Sequence, residues 1–187
     1  MPFTYEYARP AVTVDVAVFS IQKGDLAVLL IRRGQEPFKG TWALPGGFVE
    51  QDEALEFAAI RELEEETGLT RVTMTQFGAF GDPGRDPRGH TVSVAYAALL
   101  SGEPELQAGD DAAEVAWHPL RTLPIGGRPL EKGAPKLAFD HPMIIVRALQ
   151  HLLSLPAAKG ARAAKNASTG KKAQKKGKTA RPARRKG

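Results

Sequence analysis

The 187-residue chain contains no cysteine, which excludes disulfides and every thiolate-held zinc or iron–sulfur site. No apolar run approaches the roughly 18 residues that span a membrane. The first residues, Met1 to Tyr7, lack both the basic stretch and the apolar core of a signal peptide. A cytoplasmic protein with no membrane partner is the expectation. Aromatic residues are few, at 7%, but 42% hydrophobic and 25% charged residues are ordinary for a globular protein. The length favours one domain that buries roughly 70% of the surface its unfolded chain exposes. Acidic residues are absent from 156–187, which holds 12 of the 26 Lys and Arg. Residues 1–155 therefore carry 14 basic against 21 acidic side chains, a formal net charge of −7. The chain reads as an acidic globule, 1–155, followed by a basic tail, 156–187. The tail has no Leu, Ile, Val or aromatic residue, so nothing offsets the entropy of ordering it, and it is expected to be disordered. Its cations suit weak, salt-sensitive nucleic acid binding without sequence preference; a solubilising extension is the plain alternative.

Within the globule, Ala11–Phe19 is rich in β-branched residues and Leu26–Ile31 is a short apolar run. Both predict buried strands, joined by a turn at Lys23-Gly24. Thr41–Val49 predicts strand fragments broken by Pro45 and a Gly46-Gly47 turn. Leu55, Ala59 and Leu63 recur at helical spacing and predict a helix over Glu53–Thr67, with Asp52 as its N-cap and Gly68 as its stop. Strands follow near Val72–Phe80 and Thr91–Leu100, around a loop, Gly81–His90, that holds two prolines and two arginines. Val115–Trp117 predicts a short strand, and Asp140 caps a last amphipathic helix, His141–Leu153. This alternation predicts an α/β domain with a mixed sheet.

The most informative stretch is Arg61-Glu62-Leu63-Glu64-Glu65-Glu66-Thr67-Gly68-Leu69. On a helix, Glu62, Glu65 and Glu66 fall within about 100° of arc. Like charges at that spacing repel, and they sit in the half of the helix where the macrodipole disfavours them. A solvated acidic face is the bland reading of such a run. Hard oxygen ligands clustered behind a Gly-Gly turn, which lets backbone approach closely and offers a bare carbonyl, instead suit Mg²⁺ or Mn²⁺ holding a pyrophosphate.

Gly47, Glu53, Arg61, Glu62, Leu63, Glu65, Glu66, Gly68 and Leu69 fill every position of the pattern G-x5-E-x7-R-E-U-x-E-E-x-G-U, with U apolar. On these residues the chain resembles the Nudix hydrolase superfamily, from Arg9 to about Leu153. The resemblance implies an α/β/α sandwich and Mg²⁺-dependent hydrolysis of a nucleoside diphosphate linked to another group, with Mn²⁺ as a possible substitute. It implies that Glu62, Glu65 and Glu66 bind metal with the Gly46 carbonyl, and that Arg61 and Glu53 form a positioning ion pair. For the general base, which relatives take either from the pattern or from a later loop, Glu114 is the first candidate, Asp111 the second and Glu62 the fallback. Homodimers are common among such relatives, and nothing in the sequence locates an interface.

The flanking segments Pro10–Val16, Gly40–Val49, Asp86–Val94 and Leu137–His141 resemble the ADP-ribose pyrophosphatase-like branch, which implies cleavage of ADP-ribose to AMP and ribose 5-phosphate. Arg33, beside Arg32 after the second strand, and Arg85 and Arg88 in the proline-rich loop are candidates to grip phosphate. His90, His141 and Trp42 read as structural, and Phe48 is ambiguous. Two alternatives stand beside this: cleansing of oxidised nucleoside triphosphates, which the pattern does not distinguish, and a non-enzymatic ADP-ribose-sensing regulator, which needs a C-terminal winged helix that no residues after Leu155 could build.

Overall fold

A computed structural model describes residues 4–102, 104–109, 112–127 and 132–156. The basic segment 157–187 and the acids Asp110 and Asp111 lie outside the described residues. Six strands, β1 (Ala11–Gln22), β2 (Asp25–Arg33), β3 (Trp42–Ala43), β4 (Thr75–Phe80), β5 (Thr91–Leu100) and β6 (Ala112–Pro119), make one mixed sheet. The order is β3-β2-β1-β5-β4, with β6 on the other edge of β2. The long parallel pair β1–β5 runs from Ala11↔Thr91 to Ser20↔Leu100, and β1 reverses into β2 through Lys23 and Gly24, both at positive φ.

Strand β1 is buried on both faces, as expected of a strand paired in parallel. Val14, Val16 and Val18 pack with Ala58, Ala59 and Leu63 of helix α1 (Leu55–Thr67). Ala17 and Phe19 pack with Ile144, Ile145 and Ala148 of helix α2 (His141–Ser154) on the opposite face. The molecule is thus an α/β/α sandwich. Among the described residues no helix is long and apolar enough to cross a membrane.

The sheet splays at one point. Strand β2 pairs with β1 through Asp25–Val28 and with β3 through Ile31 and Arg32, so the two partners separate between these contacts. Into the gap beside β1 runs the segment 45–49: Val16 N donates to Pro45 O at 2.8 Å, Val14 N to Gly47 O at 2.9 Å, and Val49 N to Val12 O at 3.0 Å. The Gly-Gly turn is therefore built onto the central strand.

Several expectations need correction. Helix α1 starts two residues late, with Ala54 and not Asp52 at its N-cap; Asp52 sits outside at φ 62 in the turn that precedes it. Asp140 does occupy the N-cap of α2, but its side chain makes no cap bond because Arg85 takes it. Strand β4 starts at Thr75 and shifts register between Gln76 and Gly78. The Val115–Trp117 strand extends to eight residues because β2 offers a whole unpaired edge.

Candidate active site

Helix α1 ends where Gly68, at φ 72, donates its N–H to Glu64 O at 2.8 Å. In its last two turns Glu62 and Glu66 face the Gly-Gly turn, while Glu65 is exposed and meets Arg61. Gly46 N–H donates to Glu66 Oε2 at 2.9 Å, and a β-carbon on Gly47 would run into the Glu62 carboxylate. Gly46 itself, at φ 153, lies so close to β1 that a β-carbon would collide with the Val14 carbonyl oxygen.

Arg61 binds this site together. Its Nε and Nη2 take both oxygens of Glu53 at 2.8 Å each, Nη2 also reaches Phe48 O at 3.2 Å, and Nη1 meets Glu62 at 2.8 Å and Glu65 at 3.2 Å. The guanidinium pulls the Glu53 carboxyl down to about 2. Burial acts the other way on the rest of the cluster: it raises Glu62 above the usual carboxylate range despite Arg61 and pushes Glu66 up to about 8.

Among the described residues no three His, Asp or Glu side chains are gathered into a ready-made metal site. The cause is visible: Glu62 and Glu65 turn to Arg61, while Glu66 turns to Gly46. The donor set nonetheless fits a hard divalent cation. All its atoms are oxygen, and Glu66 is a half-buried carboxylate whose ionised form burial disfavours and a nearby cation would stabilise. Beside it opens a cavity of about 590 Å³ lined by Glu62, Glu64, Glu65, Glu66 and Gln107–Gly109. The segment 107–109 went unread in the sequence. Gln107 N donates to Thr67 O at 3.0 Å and Gly109 N to Glu66 O at 3.4 Å, so its backbone caps the end of the glutamate helix. Only Gly109 hints at this locally, since a β-carbon there would strike Glu65 O.

On the other side of the turn the charge is positive. Arg33 lies over the Phe139 ring at 5.0 Å, and Arg88 lies over Phe48 at 4.8 Å and Phe139 at 5.8 Å. Arg88 is clamped by Asp86 through Nε and Nη2, at 3.0 and 2.7 Å. Arg33 donates to Pro37 O at 2.7 Å and has no carboxylate ion pair among the described residues. Burial, then repulsion from Arg88, lowers its pKa. Two guanidiniums thus converge on one ring, that of Phe139.

The remaining site expectations fare differently. Arg85 lines the same small cavity as Arg33 and Arg88, but its side chain is 5% exposed and its guanidinium donates to both oxygens of Asp140, at 2.9 and 2.6 Å. Glu114 lies in β6 and not in a loop, cross-strand from Arg32 and 3.6 Å from it, 52% exposed and off the acidic cavity. Asp111 lies outside the described residues. Trp42 packs edge-on against His118 in the core, His90 reaches Gly81 O from the surface, and His141 is buried.

A family model described as the NUDIX domain matches residues 9–138. The chain belongs to the Nudix hydrolase family. It is 45% identical over 139 residues to a protein of Methanocaldococcus jannaschii named ADP-ribose pyrophosphatase, covering 74% of this chain and 73% of that one. It is 38% identical over 150 residues to the ADPR-responsive transcriptional repressor NtrR of Acinetobacter baylyi, covering 79% of this chain but only 56% of the repressor. Among solved structures, the NUDIX domain of Shewanella oneidensis NrtR complexed with ADP ribose superposes with a TM-score of 0.68 at 34% identity, over 78% of this chain and 90% of that one. This Nudix hydrolase is therefore ADP-ribose pyrophosphatase-like.

Proposed function

We propose that this Nudix hydrolase cleaves ADP-ribose to AMP and ribose 5-phosphate with Mg²⁺. The observation that carries this is the placement of opposite charge on the two sides of the Gly46-Gly47 turn, carboxylates on one and the Arg33–Arg88 pair on the other. A diphosphate laid across the turn meets both. Glu62, Glu65, Glu66 and the Gly46 carbonyl would hold the metal. When bound, the cation neutralises phosphoryl oxygens and acidifies water. Arg61 keeps the turn and the helix in register through Phe48 O, Glu53 and Glu62. Arg33 and Arg88 hold the second phosphate. For the proton of the attacking water Glu62, half-buried with its pKa raised, is favoured over Glu114, which is exposed and paired with Arg32.

Arg33→Gln tests the phosphate grip without orphaning a buried acid, whereas Arg88 could not be removed without stranding Asp86. The expected result is a KM for ADP-ribose raised about 10- to 100-fold, the equivalent of ~1.5–3 kcal/mol for a lost charged hydrogen bond, with the melting temperature little changed. An unchanged KM removes Arg33 from the site.

The reaction itself is tested by Mg²⁺-supported turnover of ADP-ribose, NADH, a diadenosine polyphosphate and 8-oxo-dGTP. The highest kcat/KM is expected for ADP-ribose. Pyrophosphate released fastest from 8-oxo-dGTP would move the function to nucleotide-pool cleansing. The likeness to the A. baylyi repressor gives a second reading, a sensor that binds ADP-ribose; tight binding without turnover of any compound would favour it.

A further inference from the structure

Behind the Gly-Gly turn lies a buried polar network that the proposed chemistry does not use. Asp15 of β1 accepts from Ser93 Oγ and lies 3.6 Å from Arg85 Nη2. Arg85 in turn grips Asp140 at the start of α2. The next residue, His141, is buried, with Nε2 3.4 Å from Asp15 Oδ1. Its other nitrogen, Nδ1, accepts the N–H of Leu44 at 2.8 Å. That donor settles the tautomer: Nδ1 carries no proton, burial lowers the pKa of the ring and keeps it neutral, and the ring proton sits on Nε2 facing Asp15.

Leu44 is two residues before Gly46. A strand end fixed at Leu44 N–H, and again where Val16 N–H meets Pro45 O, sets where Gly46 offers its N–H to Glu66. Arg85 from the same network anchors the Gly81–His90 loop that carries Arg88. The segments flanking the glutamate helix in sequence, those holding Asp15, Leu44, Arg85 and Asp140-His141, are thus joined behind one turn.

We propose that His141 is a positioning residue for the metal side of the site, acting through Leu44 and Pro45 on Gly46 and Glu66. This rests on the reading of the glutamates as metal ligands. Groups hydrogen-bonded directly to metal ligands alter metal affinity about 10- to 100-fold when removed; His141 acts one step further out, through Leu44, so the lower end of that range is expected. The two isosteric amides separate the two ring nitrogens. Asparagine places an oxygen where Nδ1 accepts, whereas glutamine places an NH₂ where Nε2 donates and leaves Leu44 N–H without its acceptor.

The experiment is Mn²⁺ titration by electron paramagnetic resonance, without substrate, on the full-length chain and its His141→Asn, His141→Gln and Ile144→Ala variants, each well below its melting temperature. Ile144 is fully buried one turn along the same helix, in the cluster that also holds Leu44, and its side chain has no polar atom, so truncating it loosens the packing without removing the bond from Leu44 N–H to His141 Nδ1. The expected result is affinity within about 3-fold of the parent for His141→Asn and for Ile144→Ala, and a loss of about 10-fold or more for His141→Gln. Equal affinities for Asn and Gln, or an equal loss in Ile144→Ala, would overturn the role of His141. Failure of the unmutated chain to bind Mn²⁺ would instead overturn the metal reading on which the inference rests.

Discussion

Glu66→Gln is expected to cut turnover by at least about 100-fold while making the metal-free protein more stable at pH 8. The loss of turnover follows from removing a ligand charge where the cation must sit. The gain in stability follows from burial. Glu66 has its folded-state pKa raised to about 8, so its stabilising contribution is fully present below the unfolded value of about 4.5 and is lost as pH rises through about 8. Over that window the ionised carboxylate costs on the order of 4 kcal/mol at most. Glutamine keeps the bond from Gly46 N–H and carries no charge. In a chelator, the parent should therefore lose melting temperature between pH 5 and pH 8 and the variant should not. Added Mg²⁺ should restore the parent only. A variant with near-parental turnover would remove Glu66 from the ligand set.

Gly46→Ala is expected to cost about 3 kcal/mol or more and to abolish activity. The new β-carbon would meet the Val14 carbonyl oxygen, and this is backbone of the central strand, which has nowhere to move. The φ of 153 adds strain for any residue with a side chain. Gly47→Ala is the informative contrast. Its β-carbon meets only the far end of Glu62, which can swing away. That variant should melt within a few degrees of the parent yet lose most of its turnover, because Glu62 no longer faces the turn. Thermal melts and kcat on the two variants check both statements. A Gly46→Ala protein that melts like the parent would mean that the turn does not press against β1.

What the sequence made legible and what it hid divide along physical lines. The strands β1 and β5 and the helix α2 were readable because burial on one or both faces imposes a period on their own residues. The glutamates and the Arg61–Glu53 pair were readable because one helix and the turn before it carry them. Properties that depend on a distant partner were not. Arg85 and Arg88 stand three apart in one loop with the same side chain, yet one is buried between Asp15 and Asp140 and the other lies open over Phe48. Nothing near them in sequence says which is which. Glu114 looked like a loop acid because Ala112-Ala113-Glu114 has little β propensity, and the unpaired edge of β2 overrides that weak preference. Asp52 looked like a cap, but the Glu53–Arg61 pair holds the preceding turn and delays the helix.

The central claim is that a diphosphate is hydrolysed at the edge of the glutamate helix. It is tested most directly by incubating the protein with ADP-ribose and Mg²⁺ in ¹⁸O-labelled water and reading the products by mass spectrometry. The account predicts AMP and ribose 5-phosphate, one ¹⁸O atom in one of the two phosphates, no reaction in a chelator, and turnover at least about 100-fold slower with Glu66→Gln. ADP-ribose recovered intact and unlabelled from the parent protein at saturating Mg²⁺ would contradict it.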